Sequence, residues 1–239
     1  MVDYHYFKSK LNRFYAKYVG NEQREVFFNI DQTFPALNTI TNNFTDIKRE
    51  FDNVLANAHQ LPRYHDIDPG EKEISDTTAK NWNVFMLYLL GYQIQDAHSL
   101  CPTVCRLLEG IPNIIQAFFS ILEPGKSIPL HEGPYIGYLR YHLGIHVPKN
   151  NPPHIIVNNQ PYTWQEGEAV MFDDSWPHEV KNDSDDYRAV LIIDVLRPMP
   201  FLPKLVNRFV TNVIGRYFYG RKVIKRAKQY GKDIKPLIS

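Results

Sequence analysis

The sequence predicts a mainly β fold, an antiparallel sandwich or jelly roll with helices packed on its outside and a basic helix at its C-terminal end. Three observations predict it. From about residue 114, short β-branched and aromatic runs ("IIQAFFSIL", "YIGYLRYHLGIHV", "HIIVN", "AVMF", "RAVLIIDVL") alternate with the turn clusters "EPGK", "KNNPP", "NNQP" and "QEGE". Strands this closely spaced, with no helical period between them, pair antiparallel. Before them the apolar residues recur at three- and four-residue steps, and after them the chain turns strongly basic.

In the first segment, Tyr4, Phe7, Leu11, Phe14 and Tyr18 mark one face of an amphipathic helix. "FTDIKREFDNVLANA" repeats the pattern, and "YHDIDPGEKEISD" reads as a loop. The run "NWNVFMLYLLGYQ" is apolar and aromatic without a decisive period. The expectation is one domain over residues 1–203, helical to about 110 and jelly roll over about 111–200, followed by an extension, 204–239. A chain of 239 residues, 44% hydrophobic, can bury a full core. Cys101 and Cys105, four apart in "CPTVC", read as reduced structural thiols. The N-terminus lacks the apolar run of a signal peptide, so a cytoplasmic location is expected.

The formal net charge of +1 hides an asymmetry. Residues 204–239 hold ten Lys/Arg against Asp233 alone, whereas residues 1–203 hold 17 Lys/Arg and 25 Asp/Glu. In the extension Val206, Phe209, Val210, Val213, Ile214, Tyr217 and Phe218 form an apolar helical stripe. A basic amphipathic helix suits an anionic membrane surface, the inner face of a membrane for a cytoplasmic protein. The alternative is a stripe packed on the acidic body. No nucleic-acid-binding motif supports a nucleic-acid partner.

Candidate chemistry sits in the strands. In "YIGYLRYHLGIHV", Tyr138, Arg140, His142 and His146 share one face and Leu139, Tyr141, Leu143, Ile145 and Val147 the other. On alternation alone a solvent-facing polar side is the leading reading, with a lined cavity second. His131 precedes this strand, and "WPHEV" places His178 after a late strand, with Arg188 opening the next. Two imidazoles from an early and a late strand suit a non-haem iron(II) site with open positions. An arginine fork suits a dicarboxylate cosubstrate.

The motifs "FSILEPG", "HEGPYIGYLRYHLGIHVP", "WQEGEAVMFDDSWPHEV" and "RAVLIIDVLRP", spread over about residues 117–198, resemble the aspartyl/asparaginyl β-hydroxylase family. Its members are iron(II)- and 2-oxoglutarate-dependent dioxygenases with a double-stranded β-helix core, and they include lipid A acyl-chain hydroxylases. The resemblance implies His131 and His178 as iron ligands and Arg188 as the partner of the distal carboxylate of 2-oxoglutarate. It implies Ser120, Arg140 and His142 as further cosubstrate contacts. Where acyl-chain hydroxylases of the group look like His-x-Asp, this chain has Gly133, which implies a two-histidine site completed by water. Glu132, adjacent to His131 on a strand, points the other way. Asp173 and Asp174 either orient groups around the metal or cap their turn.

Iron(II), 2-oxoglutarate and dioxygen are therefore the expected cofactor and cosubstrates. The expected reaction is hydroxylation of an unactivated carbon, with the β-carbon of an aspartyl or asparaginyl side chain in a peptide or protein slightly favoured by Gly133. The alternatives are a membrane-lipid acyl chain and a non-catalytic metal- and carboxylate-binding module.

Overall fold

The computed structural model describes residues 4–57 and 61–231. His59 and the last bases of the extension, Lys232 and Lys235, lie outside the described residues. Eleven strands run in chain order: β1 (Phe27–Phe28), β2 (Trp82–Leu89), β3 (Tyr92–Gln93), β4 (Ile114–Leu122), β5 (Ile128–His131), β6 (Tyr138–His146), β7 (His154–Val157), β8 (Gln160–Thr163), β9 (Ala169–Phe172), β10 (His178–Lys181) and β11 (Arg188–Leu196). They form two antiparallel sheets, one ordered β1-β9-β6-β11-β4-β2-β3 and the other β5-β10-β7-β8. From β4 to β11 the chain crosses repeatedly between the sheets and places four strands in each. This is the double-stranded jelly roll that the strand spacing predicts.

The large sheet is buried on both faces. Its outer face carries Leu139, Tyr141, Leu143, Phe119 and Leu191, all fully buried. Helices from the N-terminal part cover it. Phe51, on the helix Phe44–Asn57, meets Phe119 edge-on at 5.0 Å, and Thr41 hydrogen-bonds the Tyr141 hydroxyl at 2.8 Å. Burying a phenylalanine completely contributes about 1.5–3 kcal/mol, so Phe51 is a principal anchor of this layer. The inner face turns toward the small sheet, where Phe27 meets Tyr162 at 6.1 Å and Phe172 meets His178 at 6.2 Å.

Four expectations need correction. The part expected to be helical contains β2, a full strand of the large sheet beside β4, because "WNVFMLYL" is buried on both faces and so shows no two-residue alternation. The "YHDIDPGEKEISD" loop instead forms the short helices Tyr64–Ile67 and Lys72–Ser75, joined by the 3-10 turn Pro69–Glu71. In the first helix, Tyr4–Val19, the side chains of Tyr4 and Phe7 lie outside the described residues; among the described ones Tyr15, one position off the expected stripe, is fully buried, while Tyr18 is exposed. The extension set at 204–239 starts inside a helix that begins at Phe201 and runs through a π-type segment, Val210–Gly220, into Arg221–Gly231.

Cys101 and Cys105 are free and buried, at the start and middle of the helix Pro102–Glu109. Burial pushes the Cys105 thiol up to about 12, away from reactivity.

Candidate active site

Pairing of β5 with β10 sets His131 directly opposite His178. The two rings stand 4.1 Å apart between centroids. Each is held the same way: the Nδ1–H of His131 donates to Pro129 O and that of His178 to Trp176 O, both at 2.8 Å. A carbonyl can only accept, so both rings carry a proton on Nδ1, and in the neutral tautomer the lone pair is on Nε2. Burial, helped for His178 by the neighbouring His131, pushes both below the usual histidine range, His178 to about 3. Neutral imidazoles with a lone pair on one ring nitrogen are the state a metal ion requires.

Among the described residues no third histidine, cysteine, aspartate or glutamate completes a metal-binding cluster with this pair. Gly133 shows why an acid cannot stand two residues after His131. A Cβ there would lie 2.7 Å from both Asp174 Cγ and Tyr138 Oη, so the space is already taken. Glu132 follows the end of β5 and is exposed. The pair therefore fits a metal held by two protein nitrogens, with its remaining positions open to small ligands.

Across the Phe172 ring from His178 lies a second group. His142 meets Phe172 edge-on at 5.0 Å and stacks on Trp164 at 5.8 Å. The Arg188 guanidinium sits 4.4 Å from the Trp164 ring. Arg188 is 1% exposed, yet its polar contacts are long ones to Ser120, 3.5 Å to O and 3.4 Å to Oγ. Ser120 in turn accepts from Trp82 Nε1 at 2.9 Å. Arg188 Nε, Trp164 Nε1 and both His142 ring nitrogens are buried without any hydrogen-bond partner. Burial drives the Arg188 guanidinium down to about 9, and drives His142 well below the histidine range with help from Arg140 and Arg188. Unpaired buried donors cost about 1–3 kcal/mol each. A cluster dominated by donors, one of them a cation with no carboxylate, fits an anionic acceptor.

Arg140 and His142 do share a face, as alternation predicts, but that face is interior. The solvent reading is wrong because the second sheet covers the polar side and helices cover the apolar one. The two residues then part company. Arg140 lies opposite Asp194 in the β6–β11 register and binds it through Nε and Nη2, both at 2.8 Å, while its Nη1 meets Asp174 at 2.9 Å. Asp174 also accepts from the Tyr138 hydroxyl at 2.7 Å, and its backbone oxygen accepts from Gly133 N at 2.8 Å. Asp174 thus braces the turn after His131, and burial pushes its carboxyl up to about 7. Asp173 does cap its turn, accepting from Ser175 N at 3.1 Å, and it is also ion-paired to Arg24 at 2.9 Å and to Arg197.

Sequence reasoning missed Asp194, Trp164 and Trp82, and it set Tyr138 on the face of Arg140 without giving it a role. Asp194 carried a signal: an acid in the otherwise apolar run "AVLIIDVL", on the same strand face as Arg188. Trp164 carried none, because it lies beyond β8 and reaches the site only through the fold. His146 is outside the site as expected, ion-paired to Asp186 at 2.9 Å and stacked on Tyr187.

Residues 41–198 match the aspartyl/asparaginyl beta-hydroxylase family over most of the chain. The chain belongs to this family. Among its relatives is an ornithine lipid ester-linked acyl 2-hydroxylase of Rhizobium tropici, 38% identical over 182 residues, which are 76% of this chain and 64% of that protein. A human aspartyl/asparaginyl beta-hydroxylase is 37% identical over 123 residues, 49% of this chain and 16% of that protein. The chain thus spans less than two thirds of either relative. A prolyl-4-hydroxylase from Pseudomonas putida superposes with a TM-score of 0.43 at 12% identity, covering 65% of this chain and 88% of that one. These family members and relatives are named as hydroxylases, some of protein residues and one of a lipid acyl chain.

Proposed function

We propose that this hydroxylase depends on iron(II) and 2-oxoglutarate and acts on the acyl chain of a membrane lipid. The observation that carries the cofactor reading is two facing imidazoles, His131 and His178, each protonated on Nδ1, in a site that also holds the buried guanidinium of Arg188, which has no carboxylate partner among the described residues. When bound together, iron(II) and 2-oxoglutarate use dioxygen to hydroxylate an unactivated carbon, releasing succinate and carbon dioxide.

The chain's own residues do the rest. His131 and His178 hold the metal through Nε2, and their backbone hydrogen bonds keep both rings turned toward it. Arg188 takes the distal carboxylate of 2-oxoglutarate through its fork, a charge-assisted contact that relieves its own burial. Ser120, held by Trp82, and His142, held by Trp164, line the same donor set and fix the cosubstrate's orientation. Arg140 acts from behind: its pairs with Asp194 and Asp174 stiffen the turn that follows His131. Phe172 and Trp164 exclude water, which strengthens each of these interactions.

For the substrate, the match to the acyl hydroxylase covers 76% of this chain, against 49% for the human protein hydroxylase, and it supports a lipid acyl chain. Gly133 supports the second reading, an aspartyl or asparaginyl side chain, because it leaves the metal with two protein ligands as in that branch.

The deciding experiment is an anaerobic titration of the metal-free protein with iron(II) and then 2-oxoglutarate. A visible metal-to-ligand charge-transfer band should appear for the wild type and be absent in His178→Ala. A folded protein that never gives the band would sink the reading. Succinate release with an ornithine-lipid or acylated-lipid substrate, against an Asp-containing peptide, then separates the two substrate classes.

A further inference from the structure

The helix from Phe201 to Gly231 carries eight Lys/Arg and no acid. It was expected either to pack its apolar stripe on the body or to offer it to a membrane; of that stripe Phe209, Val213 and Tyr217 are exposed and Val206, Val210 and Ile214 half-buried, while the side chain of Phe218 lies outside the described residues. In its first half the residues fall into four columns, each repeating every four positions. Pro203, Asn207 and Thr211 are buried. Two positions away, and so on the opposite side of the helix, Phe201, Leu205, Phe209 and Val213 are 77%, 47%, 59% and 49% exposed. Lys204, Arg208 and Arg216 flank this stripe on one side, and half-buried Val206, Val210 and Ile214 flank it on the other. The last part of the helix packs down through Val223, Ile224 and Ala227, which are buried, while Arg221, Lys222, Lys225, Arg226 and Lys228 stay exposed.

The buried column grips the loop that follows His131. Asn207 Nδ2 donates to Gly137 O, Thr211 meets the Tyr135 hydroxyl at 2.9 Å, and Arg197 N donates to Gly137 O at 2.9 Å. The helix Tyr4–Val19 holds the same loop through Asn12, which accepts from Ile136 N at 3.0 Å. The exposed stripe thus lies across one helix diameter, roughly 10 Å, from a loop tied to a candidate metal ligand. Among the described residues no helix is long and apolar enough to cross a membrane, so contact through this helix would be at the surface.

We propose that the Phe201–Gly231 helix lies in the interface of an anionic lipid leaflet, with Phe201, Leu205, Phe209 and Val213 entering the acyl boundary and the flanking bases meeting headgroup phosphates. The charge pattern selects this occupant. An apolar stripe beside eight bases without one acid complements a negatively charged, apolar-cored surface, and it disfavours a second copy of the same helix, whose charges would repel. The inference deepens the lipid-substrate reading: it names the surface that would bring the His131 loop to a substrate already in the leaflet.

The test is flotation of the full chain with vesicles of phosphatidylcholine alone and of phosphatidylcholine mixed with phosphatidylglycerol. The wild type should bind the anionic vesicles at least tenfold more tightly than the neutral ones, with binding weakened by salt. Phe209→Glu with Val213→Glu, and separately Lys204→Glu with Lys225→Glu, should each lose about tenfold or more while circular dichroism stays unchanged, because all four side chains are exposed. Equal binding by wild type and both double variants, or no vesicle binding at all, overturns the proposal. So does a concentration-dependent dimer without vesicle binding that Phe209→Glu with Val213→Glu dissolves. The charge-transfer band, recorded in the same samples without lipid, reports the cofactor chemistry independently. Vesicle binding without the band supports the docking surface and overturns only the hydroxylase reading.

Discussion

Replacing Arg188 by methionine should leave the metal-free protein as stable as the wild type, or more so, while removing most of its affinity for 2-oxoglutarate. The reasoning starts from burial. Arg188 is 1% exposed, and burial takes its guanidinium from the usual arginine range down to about 9. At about 1.4 kcal/mol per tenfold, that fall is a penalty on the charged form of order 5 kcal/mol, and at pH 7, below both values, it is present in full. Against it stand the contact with the Trp164 ring, about 0.5–2 kcal/mol, and two long hydrogen bonds to Ser120 contributing about 1 kcal/mol together. Methionine fills similar volume without a charge, so the balance favours the variant by roughly 2–3.5 kcal/mol. In the complex the sign reverses. A buried carboxylate left without its arginine costs about 3–5 kcal/mol, a loss of roughly two to four orders of magnitude in affinity. Thermal or urea unfolding gives the first quantity. Anaerobic titration of the iron(II) protein, followed at the charge-transfer band, gives the second. A variant that unfolds several degrees earlier yet binds 2-oxoglutarate unchanged would refute the argument and make Arg188 a structural residue.

Three further outcomes follow from the same geometry. His131→Ala should lose iron(II) binding by at least tenfold in an anaerobic metal titration, and unchanged affinity would remove it from the site. Gly133→Asp, which would create the His-x-Asp pattern, should cost about 1–3 kcal/mol of stability instead of adding a ligand, because its Cβ meets Asp174 and Tyr138. A melting temperature lowered by several degrees would bear this out, and tighter iron binding with no loss of stability would contradict it. His142 is neutral and buried in the fold but titrates near 6.5 when unfolded. Its contribution to the metal-free protein is therefore complete above pH 6.5 and declines as the pH falls below it. Urea unfolding should show His142→Phe losing stability less steeply than wild type between pH 6.5 and 5, by up to about 1.4 kcal/mol per pH unit; equal slopes would mean that His142 is free to protonate in the fold.

Much was legible in the sequence because it rests on local chemistry. Alternation placed Arg140 and His142 on one face, and turn clusters marked the strands that cross between the two sheets. The resemblance named His131, His178 and Arg188, and the structure sets two of these opposite each other and buries the third against Trp164 and Ser120. What the sequence could not decide is which face a second layer covers. A polar strand face looks alike in one chain whether water or another sheet lies beyond it, so the solvent reading of β6 yields only when β5 and β10 close over it. For the same reason β2 escaped recognition: burial on both faces erases the alternation that marks a strand. Tertiary structure alone brought Asp194 against Arg140 across a strand pair, Trp164 against Arg188 and Asp174 into the space beside Gly133. It also turned the apolar stripe of the last helix outward. That helix had two faces able to pack, and the hydrogen bonds of Asn207 and Thr211 to the His131 loop set which one did.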